Sequence, residues 1–415
     1  MNKFKLLCLV AVLMLLVAVF AACGTAETTT ETTTAAPGTT TPEVTTTSVP
    51  ATTVAPTFSS VKIGENDLKD YTIVYAKSPY HQLANYKNYK DLYPVYDFDK
   101  ETADRLSDLI FELSGIRLAV SMDTKTTAGT KEILIGKTNR KEITNGLGEL
   151  KTDDFVIKSV GTSLVICGGE HGTTWHALDY LEKLLNGALE EGKRDYTFAS
   201  DYSYKGEYHL TRIGCIGDSI TQGVGSSAAD RFAYPAQLAR FLWKDAIVLN
   251  FGNSGKTMRN DLNDAFVKTQ TYTDALNAAA DVDIFTVMLG TNDSNRDRNW
   301  NDNSTKQYMD SCRLLFENLS ARNSDITFVI ANCPAYFGAD GFGSAKVRSL
   351  QKQLVTDMNE AGFKTEFFDM YTPTRQMREY FPDTLHPNDV GHMKMAEVFS
   401  KALAEIISPA EDTAN

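Results

Sequence analysis

A serine hydroxyl is a weak nucleophile at neutral pH and becomes effective only with a base within hydrogen-bond reach. Ser219 lies in Gly217-Asp218-Ser219-Ile220-Thr221-Gln222-Gly223, a glycine-flanked turn that follows an apolar run. Much later, Asp383-Thr384-Leu385-His386-Pro387 sets a carboxylate three residues ahead of an imidazole, and Pro382 and Pro387 mark a loop rather than a helix. Asp383 can curl back to accept from one ring nitrogen of His386, leaving the other to take the serine proton. Two more polar blocks close apolar runs: Asn250-Phe251-Gly252-Asn253-Ser254-Gly255 and Gly290-Thr291-Asn292-Asp293. A helix cap would account for Ser219 alone, but not for the carboxylate–imidazole pair or for Asn292.

The elements between these blocks say how they could meet. From Leu210 onward the chain alternates short apolar runs (Thr211–Ile216, Ala246–Phe251, Asp283–Leu289, Thr327–Asn332, Thr365–Phe368) with amphipathic segments. The latter cover Tyr234–Lys244, Thr271–Ala280, Thr305–Arg322, Ala345–Ala361 and Asp389–Ile407. Fully apolar strands alternating with helices predict a parallel sheet covered on both faces, a three-layer α/β/α arrangement. Such sheets bind ligands at the carboxyl ends of their strands, which is where Ser219, Gly255 and Asn292 fall.

The four blocks, in this order, resemble the GDSL or SGNH hydrolase family, over about 200 residues. The resemblance implies a serine carboxylic ester hydrolase of SGNH fold, with Ser219, Asp383 and His386 as its catalytic residues. It also implies an oxyanion hole made by the backbone amides of Ser219 and Gly255 and the side-chain amide of Asn292. Glycine lets backbone approach a substrate closely, and asparagine offers a neutral donor. Asp218 and Asp293 read as structural, holding their turns, and His392 on the last helix as surface or packing. The sequence is similar to bacterial sialate and carbohydrate acetylesterases within the family, so a small acyl group, above all O-acetyl, on a glycan is the expected substrate. Alternatives are a lysophospholipase, an arylesterase or a thioesterase of the same family, or a catalytically dead surface protein that binds carbohydrate. The segments Val224–Arg231, Lys256–Asp261, Ser294–Ser304 and Ala335–Ser344 should shape the pocket. Within them Trp300 could stack on a sugar or anchor its loop, and Arg296 or Arg298 could meet a polar substrate.

Ahead of this part, residues 58–205 read as a smaller mixed α/β domain. Its strands are expected at Tyr71–Ala76 and Glu132–Gly136, with a hairpin of Asp154–Val160 and Ser163–Cys167 over Gly161-Thr162; helices are expected at Asp99–Ser114 and Thr173–Leu185. The stretch DFVIKSVGTSLVICGGEHGTTWHALDYLEKLL, with the earlier EILIGKTNR, resembles the non-catalytic α/β domain that precedes the catalytic barrel in beta-hexosaminidases and alpha-glucuronidases. That implies a structural role in a carbohydrate context. The glycines of Gly168-Gly169-Glu170-His171-Gly172 are explained by a turn that needs positive φ, without any ligand at His171.

The first 57 residues are of another kind. Met1–Ala22 has a basic start at Lys3 and Lys5, an apolar run from Leu6 to Phe20 and small residues before Cys23, the layout of a secretory signal. Its end, Phe20-Ala21-Ala22-Cys23-Gly24, resembles a bacterial lipobox, which implies lipidation of Cys23 and a membrane-held protein at the bacterial surface. From Gly24 to Thr57 there are sixteen threonines, four prolines and no lysine or arginine, a composition that cannot offset its ordering entropy and predicts a solvated tether. Residues 206–408 are expected to form the catalytic domain and 409–415 a disordered tail. A net charge of −12 without a basic block argues against nucleic acid as a partner. No cofactor is implied, nor a metal: none of the cysteines has CxxC spacing, and His171 and His176 miss the i, i+4 spacing of a zinc helix. Cys167, Cys215, Cys312 and Cys333 read as buried thiols, with a disulfide open to a chain outside the cytoplasm.

Overall fold

A computed structural model describes residues 56–78, 97–338 and 344–407. The leader, Cys23, the threonine tract up to Ala55 and the tail lie outside the described residues. The described residues fall in one compact unit.

In chain order, the first part contains β1 (Ser60–Ile63), β2 (Asn66–Asp67), β3 (Thr72–Tyr75), α1 (Phe98–Ser114), β4 (Ala119–Met122), β5 (Glu132–Ile135) and α2 (Lys141–Gly146). It continues with β6 (Asp154–Val160), β7 (Ser163–Gly168), α3 (His171–Glu190), β8 (Asp195–Phe198) and β9 (Ser203–Glu207). Six of the strands form one mixed sheet, ordered β4-β3-β5-β7-β6-β9, and β2-β1-β8 form a small second one. The hairpin of β6 and β7 turns on Gly161 at φ 61°. Alternation along the strands decides the packing. Ile73, Ile133, Ile135, Leu164 and Ile166 meet Leu106 and Ile110 of α1 and Leu178, Leu181 and Leu185 of α3, while Val74, Leu134, Val165 and Cys167 face the other way.

One expectation needs correcting here. Gly168 and Gly169 do not have positive φ. They are glycine because space is absent: a Cβ on Gly168 would stand 2.2 Å from the Thr173 hydroxyl, and one on Gly169 would stand 1.8 Å from the Lys151 carbonyl. Close approach of backbone, not handedness, sets the residue type.

The second part holds β10 (Thr211–Gly217), α4 (Ser219–Gln222), α5 (Ala229–Phe232), α6 (Tyr234–Phe241), β11 (Ala246–Gly252), α7 (Gln270–Ala278), β12 (Ile284–Met288) and α8 (Thr291–Arg296). After these come α9 (Asp302–Ser320), β13 (Thr327–Ala331), α10 (Ser344–Glu360), β14 (Lys364–Phe368), α11 (Tyr371–Thr374) and α12 (Asp389–Ala404). Its five strands are all parallel, in the order β11-β10-β12-β13-β14. The sheet is covered on both faces, as the apolar strands predict. Phe285, Val287, Phe328 and Ile330 pack with Tyr272 of α7, Leu315 and Phe316 of α9 and Leu354 of α10. Ile213, Cys215, Ile284, Met288 and Val329 pack with Leu238 of α6 and with Met395 and Phe399 of α12.

The strand order reverses between β10 and β12, where the chain first builds outward to β11 and then returns to the other side. A crevice opens at the carboxyl edge of such a reversal, since neighbouring connections leave in opposite directions. Among the described residues no helix is long and apolar enough to cross a membrane.

Candidate active site

Ser219 stands directly after β10, at the first position of α4. Asp218 caps that helix: its carboxylate accepts from the Ile220 amide at 3.0 Å. The structural reading of Asp218 thus has a geometric basis, and the cap is Asp218 rather than Ser219. Two close approaches fix the turn, because a Cβ on Gly217 would stand 1.9 Å from the Thr221 hydroxyl and one on Gly252 of β11 would stand 2.1 Å from the Gln222 amide.

His386 reaches this serine from the loop before α12. Its Nε2 lies 2.9 Å from Ser219 Oγ, and its Nδ1 lies 2.6 Å from Asp383 Oδ2. The carboxylate at Nδ1 keeps the proton there, so Nε2 faces the hydroxyl as an acceptor. The other oxygen of Asp383 accepts the amides of Leu385 and His386, at 2.9 and 2.6 Å. Partial burial works against ionisation of Asp383, yet the His386 amide and imidazole and the Leu385 amide together hold its carboxyl below the usual carboxylate range. Between the two lies Thr384, at φ 72°. For a β-branched residue this is a strained conformation; the loop holds it with a bond from the Phe337 amide to the Thr384 carbonyl, 2.9 Å.

Asn292 follows β12 as the second residue of α8. Its Nδ2 donates to the Lys256 carbonyl at 3.0 Å and lies 3.5 Å from Asp218 Oδ2. Since a carbonyl only accepts, the first bond fixes which end of the carboxamide is nitrogen. It leaves the second amide hydrogen with at most a weak partner. Gly255, in the loop after β11, has φ 75°, and a Cβ there would meet nothing within 4 Å. The handedness demands glycine, and open space stands beside it. Asp293 is fully buried and accepts the amides of Met258 and Arg259, both at 2.9 Å. It therefore ties the Gly255–Arg259 loop to α8. Burial raises the carboxyls of both Asp218 and Asp293 to about 6.

The substrate-contact candidates are engaged in contacts of their own. The Trp300 indole donates to Thr305 Oγ at 3.0 Å and packs on Tyr308, with the Arg259 guanidinium 5.6 Å from the ring centre. These contacts are those of a loop anchor. Arg296 is ion-paired with Asp264 at 3.0 Å. Cys167, Cys215, Cys312 and Cys333 are free and buried, and burial pushes the Cys167, Cys215 and Cys333 thiols up to about 12. Among the described residues no group of three or more His, Cys, Asp or Glu could hold a metal ion.

Residues 215–394 match the profile of the GDSL-like Lipase/Acylhydrolase family. This segment is similar to the GDSL-like acylhydrolases. It contains all of Ser219, Gly255, Asn292, Asp383 and His386. An acetylxylan esterase of Xylanibacter ruminicola is 40% identical to the chain over 89 residues, which are 21% of this chain and 18% of that protein. The match thus spans under a fifth of the relative's length. Among solved structures, an aryl esterase of M. smegmatis is 17% identical, with 47% of this chain and 99% of that one covered, at a TM-score of 0.37. A carbohydrate acetylesterase from Sinorhizobium meliloti is 18% identical, with 47% and 99% covered, at 0.36. A family two carbohydrate esterase from Clostridium thermocellum is 20% identical, with 48% and 65% covered, at 0.37.

Sequence reasoning missed a second layer of the site. The chain contains another Asp-x-x-His, Asp389 to His392, on α12. There the two side chains do not pair with each other. Asp389 accepts the amide and hydroxyl of Ser227, both at 2.7 Å. His392 is fully buried and bridges the Tyr234 amide and the Val224 carbonyl.

Proposed function

We propose that the GDSL-like domain is a serine esterase that removes small acyl groups, above all O-acetyl, from carbohydrates. The carrying observation is the run of contacts from Ser219 Oγ to His386 Nε2 (2.9 Å) and from His386 Nδ1 to Asp383 Oδ2 (2.6 Å). The name of the acetylxylan esterase relative supports an acetylated glycan as the substrate class.

In this reading His386 Nε2 takes the Ser219 proton as Oγ attacks the acyl carbonyl, and Asp383 stabilises the imidazolium through Nδ1–H. The oxyanion is held by the amides of Ser219 and Gly255 and by the hydrogen of Asn292 Nδ2 that does not bond the Lys256 carbonyl. Collapse of the intermediate breaks the ester bond, and the proton on His386 passes to the departing sugar oxygen. A water then repeats the sequence on the acyl-serine, giving the acid and the free enzyme. Arg296 and Trp300 take no part in these steps, and a role for them in holding the glycan rests on their position at the end of α8 and in the loop that follows it.

The test compares purified wild type with Ser219→Ala on p-nitrophenyl acetate, longer p-nitrophenyl esters and acetylated xylan. Loss of a serine nucleophile should remove roughly 10⁶-fold in kcat, with the acetyl substrates turned over fastest by wild type. Equal release by the two proteins on every ester would end the hydrolase reading; a preference for long chains would end only the acetyl assignment.

For location, the lipobox-like ending supports a lipid on Cys23 that holds the protein at the bacterial surface, with the threonine tract as spacer. Several acyl chains are needed for stable anchoring, since one binds only marginally. Cys23→Ala should move the protein from the membrane fraction to the soluble one. Retention by membranes would refute the anchor.

A further inference from the structure

The nucleophile stands at the start of α4 and its base lies in a loop 167 residues later, and a single hydrogen bond between two side chains does not fix such a pair. The structure shows what else joins them. The turn after Ser219 returns to it: the amides of Gly223 and Val224 both donate to the Ser219 carbonyl, at 3.0 and 2.9 Å. Gly225, at φ 93°, then presses on the histidine loop so closely that a Cβ would stand 2.4 Å from the Pro387 carbonyl and 3.0 Å from His386 Cβ. This turn is therefore packed against the backbone of the histidine loop and against the Cβ from which the His386 ring projects.

Two side chains of α12 hold that turn. Asp389 grips Ser227 with both carboxylate oxygens, one on the amide and one on the hydroxyl, each at 2.7 Å. His392 receives the Tyr234 amide at Nδ1 (3.2 Å) and donates from Nε2 to the Val224 carbonyl (3.3 Å). One ring nitrogen must accept and the other must donate, so the network works only with a neutral imidazole. Its complete burial supports that state, holding the imidazole down to about 4. Neither side chain bonds Ser219 or His386, and both lie three to six residues beyond His386 on the helix that follows it.

We infer that Asp389 and His392 are positioning residues, which clamp the Val224–Ser227 turn to α12 and thereby fix the approach of His386 to Ser219. This rests on the esterase reading above. Small misplacements of reacting groups are costly in rate but not in binding, so the expected signature is a loss in kcat with KM retained.

The experiment measures kcat, KM and thermal stability on p-nitrophenyl acetate for wild type, His392→Phe, His392→Gln and Ser227→Ala. Phenylalanine keeps the volume and removes both hydrogen bonds; glutamine restores one acceptor and one donor on adjacent atoms. Folded His392→Phe should lose about 10- to 100-fold in kcat with KM within about twofold, and His392→Gln should recover to within about threefold of wild type. Ser227→Ala keeps the amide bond to Asp389 and should lose several-fold in kcat by the same pattern, which keeps the test decisive where His392→Phe does not fold. An unchanged kcat in folded His392→Phe or in Ser227→Ala would overturn the inference, as would a His392→Gln no better than His392→Phe. If wild type matched Ser219→Ala on all esters, the esterase reading itself would fall, and this inference with it.

Discussion

Asp293 shows how one buried residue can be read for both role and cost. Its carboxylate accepts two amides of the Gly255–Arg259 loop and is fully buried. Burial raises it from 3.8 to about 6. Between those values the folded chain keeps a proton that the unfolded chain has released. Its contribution to stability is therefore fully present below 3.8 and is lost as pH rises through about 6. The difference is on the order of 3 kcal/mol. Asp293→Asn has no proton to lose, though it offers one acceptor where two amides need one each, so its stability should start lower. The expected result is that wild type loses stability relative to Asp293→Asn as pH rises from about 4 to about 6.5, read from their melting temperatures. A difference that does not change with pH would show that the carboxyl is not raised. The opposite sign belongs to Asp383, whose hydrogen bonds hold it below the usual range.

At the scale of elements, the difference between what was legible and what was not follows from how each element is stabilised. The inner strands of the parallel sheet, β10, β12 and β13, are buried on both faces and appear in the sequence as apolar runs, while the edge strands β11 and β14 are partly exposed; the structure places all five within a residue or so of their expected ends. Helices such as α9 and α12 carried the 3.6-residue pattern. The short strands β1, β2, β4 and β8 were not expected, because they are only partly buried and mix polar with apolar residues, whereas the equally short β3 and β5 are almost wholly buried and apolar. β9 was missed for another reason. Ser203–Glu207 alternates half-buried and exposed residues and is paired only with β6, an edge strand that reads as a linker; a division at 205 cuts through it. In the site, Ser219, Asp383 and His386 were legible because their types and local spacing state a chemistry. Asp389, Ser227 and His392 were not, because their meaning lies in which distant backbone they meet, and a helix pattern does not record its partners.

The whole molecule depends on the seam between the part built on the mixed sheet and the GDSL-like domain. Trp243, at the end of the segment after α6, is nearly buried and stacks on Phe98 at 4.7 Å between ring centres. It also meets Trp175 edge-on at 5.6 Å, and the Lys244 ammonium lies 3.8 Å from the Trp175 ring centre while pairing with Glu101 at 2.6 Å. On the same seam Arg212 pairs with Asp153 at 2.8 Å and His176 bonds the Lys244 carbonyl at 3.1 Å. Even the backbone is committed: a Cβ on Gly172 would stand 2.7 Å from the carbonyls of Trp243 and Lys244. A seam of packed aromatic rings, with charges at its border, resembles a core more than a transient contact. Truncating a buried tryptophan to alanine removes about 3 to 5 kcal/mol, and here that loss falls on both sides of the seam at once. Trp243→Ala should therefore melt in one transition at a lower temperature, with p-nitrophenyl acetate hydrolysis and near-ultraviolet dichroism lost together. Two separate transitions, with activity lost only in an unshifted upper one, would show instead that the GDSL-like domain stands on its own and that the first part contributes no stability to it.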